Sequence, residues 1–121
     1  MTGTMRTLYL IAFGLAVVVQ TGCIAAVAGV KVIVCTPSVI GELPDGKNKA
    51  DTRLDEYSDL SRKVAKKMKV PVCDLRKAFL THLEANNKDG KAKGILTSDT
   101  VHLNDAGNKF VAETMLKSLG E

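Results

Sequence analysis

A carboxylate and an imidazole stand three residues apart near the C-terminus, in Ser98-Asp99-Thr100-Val101-His102-Leu103-Asn104. At that separation a turn can fold the Asp99 carboxylate onto the Nδ1–H of His102. Such a contact fixes the tautomer and stabilises the imidazolium that forms when Nε2 takes a proton. The chemistry on offer is proton transfer to and from a hydroxyl group. Taken alone, so short a spacing fits a plainer arrangement better, with Asp99 capping a turn and His102 on the surface where a helix begins.

Proton transfer of this kind serves a nucleophile, and none is marked. Ser38, Ser58, Ser61, Ser98 and Ser118 lie in loop-like or helical surroundings, and adjacency to Asp99 in sequence does not aim the Ser98 Oγ at His102. His82 sits beside Phe79 on an amphipathic stretch with no second ligand at metal spacing, and reads as a half-exposed helix residue. Cys23, Cys35 and Cys73 are odd in number and widely spaced, which fits neither a disulfide framework nor a zinc site. Cys35 and Cys73 each close an apolar run and read as buried free thiols. Export would leave a bridge open to them, but the spacing selects no pair. No residue pattern marks a cofactor or metal site.

The elements that must carry the Asp–His stretch follow from hydrophobic periodicity. Residues 30–35 (Val-Lys-Val-Ile-Val-Cys) form a β-branched run closed by Thr36-Pro37, a strand. Residues 38–49 contain Gly41, Pro44, Asp45-Gly46 and Asn48, the chemistry of a loop. Between residues 51 and 68, Leu54, Tyr57, Leu60, Val64 and Met68 recur at helical intervals, with Asp51 as cap and Asp59–Lys63 as an i,i+4 pair. Pro71 bars continuation, and residues 70–73 predict a second short strand. Asp74 then caps a helix bearing Leu75, Ala78, Phe79 and Leu83. Residues 86–98 are polar, and Asn104 or Asp105 opens a last helix with Ala106, Phe110, Val111, Met115 and Leu119 facing inward. Strands alternating with helices predict an α/β fold with a parallel sheet core. Two strands cannot complete such a sheet, so residues 30–121 read as part of a larger domain.

A chain of 121 residues with 45% hydrophobic and 25% charged residues has room for one small domain. The net charge of +4 is modest, and Arg62, Lys63, Lys66, Lys67 and Lys69 cluster on the polar side of a helix, a solvated face. With no Trp and few aromatics to stack on bases, no nucleic-acid partner is expected. Apolar residues crowd the N-terminus instead, where Arg6 is the sole charged residue before Lys31. Residues 1–29 are expected to form a leader, either a signal peptide ending at Ala26-Val27-Ala28 or a membrane helix. A buried helix of the domain is the third reading, and lipidation at Gln20-Thr21-Gly22-Cys23 a weaker one. The expectation is a secreted, periplasmic or membrane-anchored protein, with membrane association through residues 7–30. Cleavage after Ala28 would start the mature chain in a strand that needs neighbours on both sides.

The run Asp99-Thr-Val-His102-Leu-Asn104-Asp-Ala-Gly107-Asn108, followed by an apolar helix, resembles the C-terminal signature of the GDSL/SGNH ester hydrolases (lipase/acylhydrolase family). That pattern is Asp-x-x-His-Leu-Asn/Ser-x-x-Gly. Upstream, Val32-Ile-Val-Cys-Thr-Pro37 is similar to the family's strand ending in Thr-Pro, and Leu54-Asp-Glu-Tyr57 with Val70-Pro-Val-Cys-Asp-Leu75 resembles its next helix and strand. The resemblance covers residues 30–119, about the C-terminal half of a family domain. It implies a three-layer α/β/α, flavodoxin-like fold and a cofactor-free hydrolase of acyl or acetyl esters, with a small ester or acylated carbohydrate as substrate. It also implies Asp99 and His102 as two members of a Ser-His-Asp triad. The family's Gly-Asp-Ser nucleophile motif and Gly-x-Asn-Asp oxyanion motif do not occur in this sequence. A non-catalytic, secreted or membrane-anchored relic of such a hydrolase is therefore the alternative.

Overall fold

A computed structural model of the chain describes residues 9–12 and 30–120. Strand β2, Lys31–Cys35, is its centre: Val32, Ile33, Val34 and Cys35 are all buried, as both faces of a parallel sheet demand. Strand β3, Val72–Cys73, pairs with β2 in parallel at Val34↔Val72 and Cys35↔Cys73. The other edge of β2 is taken by a strand that periodicity did not single out. This is β1, Tyr9–Ala12, which runs parallel from Tyr9↔Lys31 to Ala12↔Val34. A strand apolar on both faces needs a partner on each edge, and β1 supplies the second. The rest of the N-terminal segment, with Ala26-Val27-Ala28 and Cys23, lies outside the described residues. Among those described, no helix is long and apolar enough to cross a membrane.

Side-chain alternation along β2 sorts the helices into layers. Val34 faces helix α1, Asp51–Met68, and packs on Ala65 with Val64, Val70 and Val72 around it. Ile33 and Cys35 face the other way, into a core with Val39, Cys73, Leu96 and the apolar side of helix α2, Leu75–Asn86. Helix α3, Asp105–Leu119, adds Phe110, Val111 and Met115, and Phe110 meets Phe79 edge to face at 5.1 Å. The result is α1, the sheet, then α2 with α3: three layers.

Helix α1 buries a different stripe from the one its large apolar residues mark. Asp51, Ser58 and Ala65 face inward, whereas Tyr57 and Leu60 are 52% and 40% exposed. Small side chains on the inner face bring the helix backbone close to the sheet, and Tyr57 and Leu60 turn outward while Val64 stays at the edge of the core. Asp51 is not the cap either. Ala50 holds that position without a side-chain bond, and the Asp51 carboxylate accepts from the Asn48 backbone N–H at 2.9 Å. Asp59 pairs with Arg62 at 2.7 Å rather than with Lys63.

Polar side chains lock the carboxyl ends of β2 and β3. Thr36 Oγ1 accepts the Arg76 backbone N–H at 2.9 Å and donates to Asp74 Oδ1 at 3.2 Å. Arg62 holds both oxygens of Asp74, at 2.8 and 2.9 Å, while Asp74 caps α2 through the Lys77 N–H. The guanidinium of Arg76, 1% exposed, donates to Asp55 at 2.8 Å and to buried Asp51 at 3.0 Å.

Burial pushes the Asp51 and Asp74 carboxyls up, but hydrogen bonds outweigh it and hold both below their ordinary values: Asn48 and Arg76 for Asp51, Arg62 and Lys77 for Asp74. A carboxyl lowered by folding adds stability above its unfolded pKa of about 3.9, and that stability is lost as pH falls through the folded value. Thermal melts should therefore hold Tm steady from about pH 7 to 5 and show it dropping from about pH 4 downward. A Tm unchanged to about pH 2.5 would contradict this account.

Candidate active site

The loop before α3 folds Asp99 onto His102. Asp99 Oδ2 lies 2.7 Å from His102 Nδ1, and Oδ1 accepts the backbone N–H groups of His102 at 2.8 Å and Val101 at 3.0 Å. The backbone and ring bonds from His102, with the Val101 N–H, hold the Asp99 carboxyl well below the usual carboxylate range. An ionised carboxylate only accepts, so Nδ1 must carry the ring proton. That leaves Nε2 with its lone pair free, and no described group bonds to it. His102 and Asp99 are open to solvent, with side chains 79% and 52% exposed. The pair is organised by hydrogen bonds rather than by burial.

Three contacts close the loop beneath the pair. Ser98 donates its N–H to the His102 carbonyl at 2.8 Å, and its hydroxyl reaches the same oxygen at 3.2 Å. Thr97 and Leu103 form an antiparallel bridge. At the tip, Thr100 adopts φ +86°, a left-handed conformation that costs a β-branched residue roughly 1–3 kcal/mol. Its carbonyl accepts the Gly41 N–H at 2.8 Å, which ties the tip to the loop leaving β2. The turn that carries the pair is therefore tied to the loop that leaves the carboxyl end of the central strand, the end at which open α/β sheets place their ligands.

Two residues of the motif do mechanical work. Asn104 caps α3 by accepting the Gly107 N–H at 2.9 Å, and its own N–H donates to the Leu96 carbonyl at 3.0 Å. Gly107 presses the first turn of α3 against the same carbonyl, where a Cβ would stand 2.0 Å from the oxygen.

Glu42, on the loop after β2, was not singled out by the sequence. Its carboxylate is fully buried and accepts the backbone N–H groups of Ile95 and Leu96, each at 2.7 Å, the N–H of Thr97, and the Thr97 hydroxyl at 2.9 Å. Asn87 donates to the Glu42 carbonyl at 2.6 Å, and the Glu42 N–H reaches the Ala92 carbonyl at 2.9 Å.

The remaining candidates fall elsewhere. Ser58, Ser61 and Ser118 donate to carbonyls within their helices, and Ser98 to His102. Among the described residues no serine hydroxyl bonds the imidazole. His82 lies on α2 with its ring 4.7 Å from that of Phe110. Cys35 and Cys73 are buried free thiols on paired strands, and burial together with Cys73 alongside pushes the Cys35 thiol up to about 12. No group of three or more metal-ligating residues occurs among the described residues. A groove between the loop after β2, α1 and α2 is lined by Asp45, Asp55, Arg62, Asp74 and Arg76, but neither Asp99 nor His102 borders it.

Residues 6–110 match the GDSL-like Lipase/Acylhydrolase family. Among solved structures, the acetyl xylan esterase AlAXEase is 42% identical with a TM-score of 0.77, over 84% of this chain and 50% of that one. LAE5, an alpha/beta hydrolase enzyme from the metagenome of Lake Arreo, Spain, is 28% identical with a TM-score of 0.66, over 86% of this chain and 43% of that one. Axe2, an acetylxylan esterase from Geobacillus stearothermophilus, shares the fold at 21% identity and a TM-score of 0.69, over 88% of this chain and 43% of that one. The chain thus spans half or less of the length of each of these structures. No match was found among curated proteins.

The Gly107 contact makes a prediction of unusual sign. Gly→Ala within a helix ordinarily stabilises by up to about 1 kcal/mol. Gly107→Ala should instead lower stability by about 1–3 kcal/mol, the range for overpacking, measured by urea unfolding. A gain in stability would mean that α3 does not sit on the Leu96 carbonyl.

Proposed function

The chain belongs to the GDSL-like lipase/acylhydrolase family, and from that premise we propose that Asp99 and His102 are the acid–base half of a carboxylic-ester hydrolase acting on acetyl or other acyl esters of carbohydrates. The observation that carries this reading is the 2.7 Å contact between an ionised Asp99 and Nδ1 of His102, with Nε2 unencumbered. The likeness to an acetyl xylan esterase at 42% identity supports the choice of ester.

In this mechanism Nε2 takes the proton of a serine hydroxyl as its oxygen attacks the ester carbonyl. Asp99 stabilises the imidazolium without itself becoming protonated. Nε2 then passes the proton to the leaving sugar hydroxyl as the carbon–oxygen bond breaks, and the acyl group stays on the serine. Water then attacks the acyl carbon as it gives a proton to Nε2, and Nε2 returns that proton to the serine oxygen as the acid is released. His102 carries every proton transfer in the cycle, and Asp99 orients the ring and steadies its charge. Nothing in the sequence supplies the nucleophile or the oxyanion donors, since Gly-Asp-Ser and Gly-x-Asn-Asp are absent. That absence favours a second reading, a non-catalytic, secreted or membrane-anchored relative that keeps the pair as a relic.

Two experiments separate these readings. The 121-residue chain alone should neither hydrolyse p-nitrophenyl acetate in a His102-dependent way nor react with a fluorophosphonate probe. Labelling would assign it a nucleophile of its own. A chimera carrying residues 30–120 in place of the matching half of AlAXEase should hydrolyse the same ester. In it, His102→Ala and Asp99→Asn should each lower kcat/KM by roughly 10³–10⁴. Undiminished turnover by the His102→Ala chimera would end the ester-hydrolase reading, and an inactive chimera would favour the relic.

A further inference from the structure

Buried carboxylates are ordinarily paired with a cation or coordinated to a metal. Glu42 is 0% exposed, yet no Lys or Arg pairs with it among the described residues. Its charge is met by donors from one short stretch of chain. Oε2 takes the Ile95 N–H, and Oε1 takes the N–H groups of Leu96 and Thr97 together with the Thr97 hydroxyl. Successive N–H groups aimed at one anion make a backbone nest, here filled by a side chain from a distant loop. The stretch so gripped runs directly into Ser98 and Asp99. The residue before Glu42, Gly41, bonds to the Thr100 carbonyl inside the Asp99–His102 turn. One short segment therefore holds that turn at its base and at its tip.

We propose that Glu42 is a positioning residue for the Asp99–His102 pair: its buried carboxylate, clamped on the amides of Ile95, Leu96 and Thr97, sets the place and orientation of the turn in which Asp99 meets the imidazole. Only the catalytic meaning of this role rests on the ester-hydrolase reading. The geometric role belongs to the chain itself and is open to measurement without substrate. Glutamine is the informative replacement, because it keeps the shape of the side chain but loses the charge. Its carbonyl can still serve Leu96 and Thr97, while its NH₂ group faces the Ile95 N–H, donor against donor.

The reporter is the tautomer of His102, read from the ¹⁵N shifts of its ring. The wild-type ring should carry its proton on Nδ1, held by Asp99. In Glu42→Gln the Nδ1–H share should fall by at least half, as the turn shifts and the bond to Asp99 loosens. Thr97→Val, which removes one donor to Oε1, should move the tautomer less and in the same direction. Should Glu42→Gln fail to fold, Thr97→Val decides the matter. Val64→Ala, a core change on the opposite face of the sheet from the loop, should lower Tm and leave the tautomer alone.

An unchanged tautomer in folded Glu42→Gln overturns the proposal. So does an unchanged tautomer in Thr97→Val, or an equal change in Val64→Ala, which would mark the effect as general destabilisation. In the AlAXEase chimera, Glu42→Gln should lower kcat at least tenfold with KM nearly unchanged. A tautomer that responds to Glu42 in an inactive chimera leaves the positioning role standing without the esterase. An active chimera whose His102 ignores Glu42 removes the positioning role alone.

Discussion

A carboxylate withdrawn from water, with no cation paired to it among the described residues, is the constraint on which the site region turns. Desolvating such a charge is costly, and the loss is offset only when donors surround it closely. The amides of residues 95–97 meet that need, and the need is mutual. They belong to neither a helix nor a strand ladder, so without the carboxylate those N–H groups would be buried and unpaired. The bonds join segments 53 to 55 residues apart in sequence. They convert two loops, each without regular structure, into one rigid corner at the end of the central strand.

A second polar knot sits at the ends of β2 and β3, and the two divide the labour. Thr36, Asp74, Arg62 and Arg76 fix the start of α2 against α1 and so hold the outer frame. Glu42 and Asn87 fix the loops that the frame surrounds. Arg76 shows the tension in such an arrangement. Its Nε and Nη2 are matched by aspartates, while Nη1 is buried without a partner among the described residues. Removing an aspartate from a buried pair of this kind costs about 3–5 kcal/mol, because the charge left behind stays out of water. The apolar core behind is small, so these charged bridges carry much of the definition of the fold.

What the sequence disclosed was local, and what it withheld was distant. β2, the three helices and the Asp99–His102 spacing rest on patterns contained within one element or one turn. The family of the chain was legible for the same reason. β1 escaped notice because Tyr9–Ala12 lies in an uninterrupted apolar run, where a strand, a buried helix and a leader share one composition. The inner face of α1 was not legible, because the helical period is marked by the large apolar residues whereas Ser58 and Ala65 are buried by being small. Glu42 and Arg76 gave no signal at all. A buried charge is recognised by its partners, and theirs lie dozens of residues away. The left-handed Thr100 was equally hidden, since a β-branched residue is the last that local preference would put there.

Asp99, His102, Asn104 and Gly107 each bind a different part of the structure at a fixed interval along the chain. Asp99 grips the turn, His102 faces solvent, Asn104 seals the helix end, and Gly107 lets that end touch the Leu96 carbonyl. A single inserted residue anywhere between Asp99 and Gly107 would leave every one of these side chains present and put at least one out of reach of its partner. The stretch therefore works as a ruler, and its lettering records lengths as much as reactivities. Two of its four letters could persist for mechanical reasons in a molecule that had given up chemistry altogether.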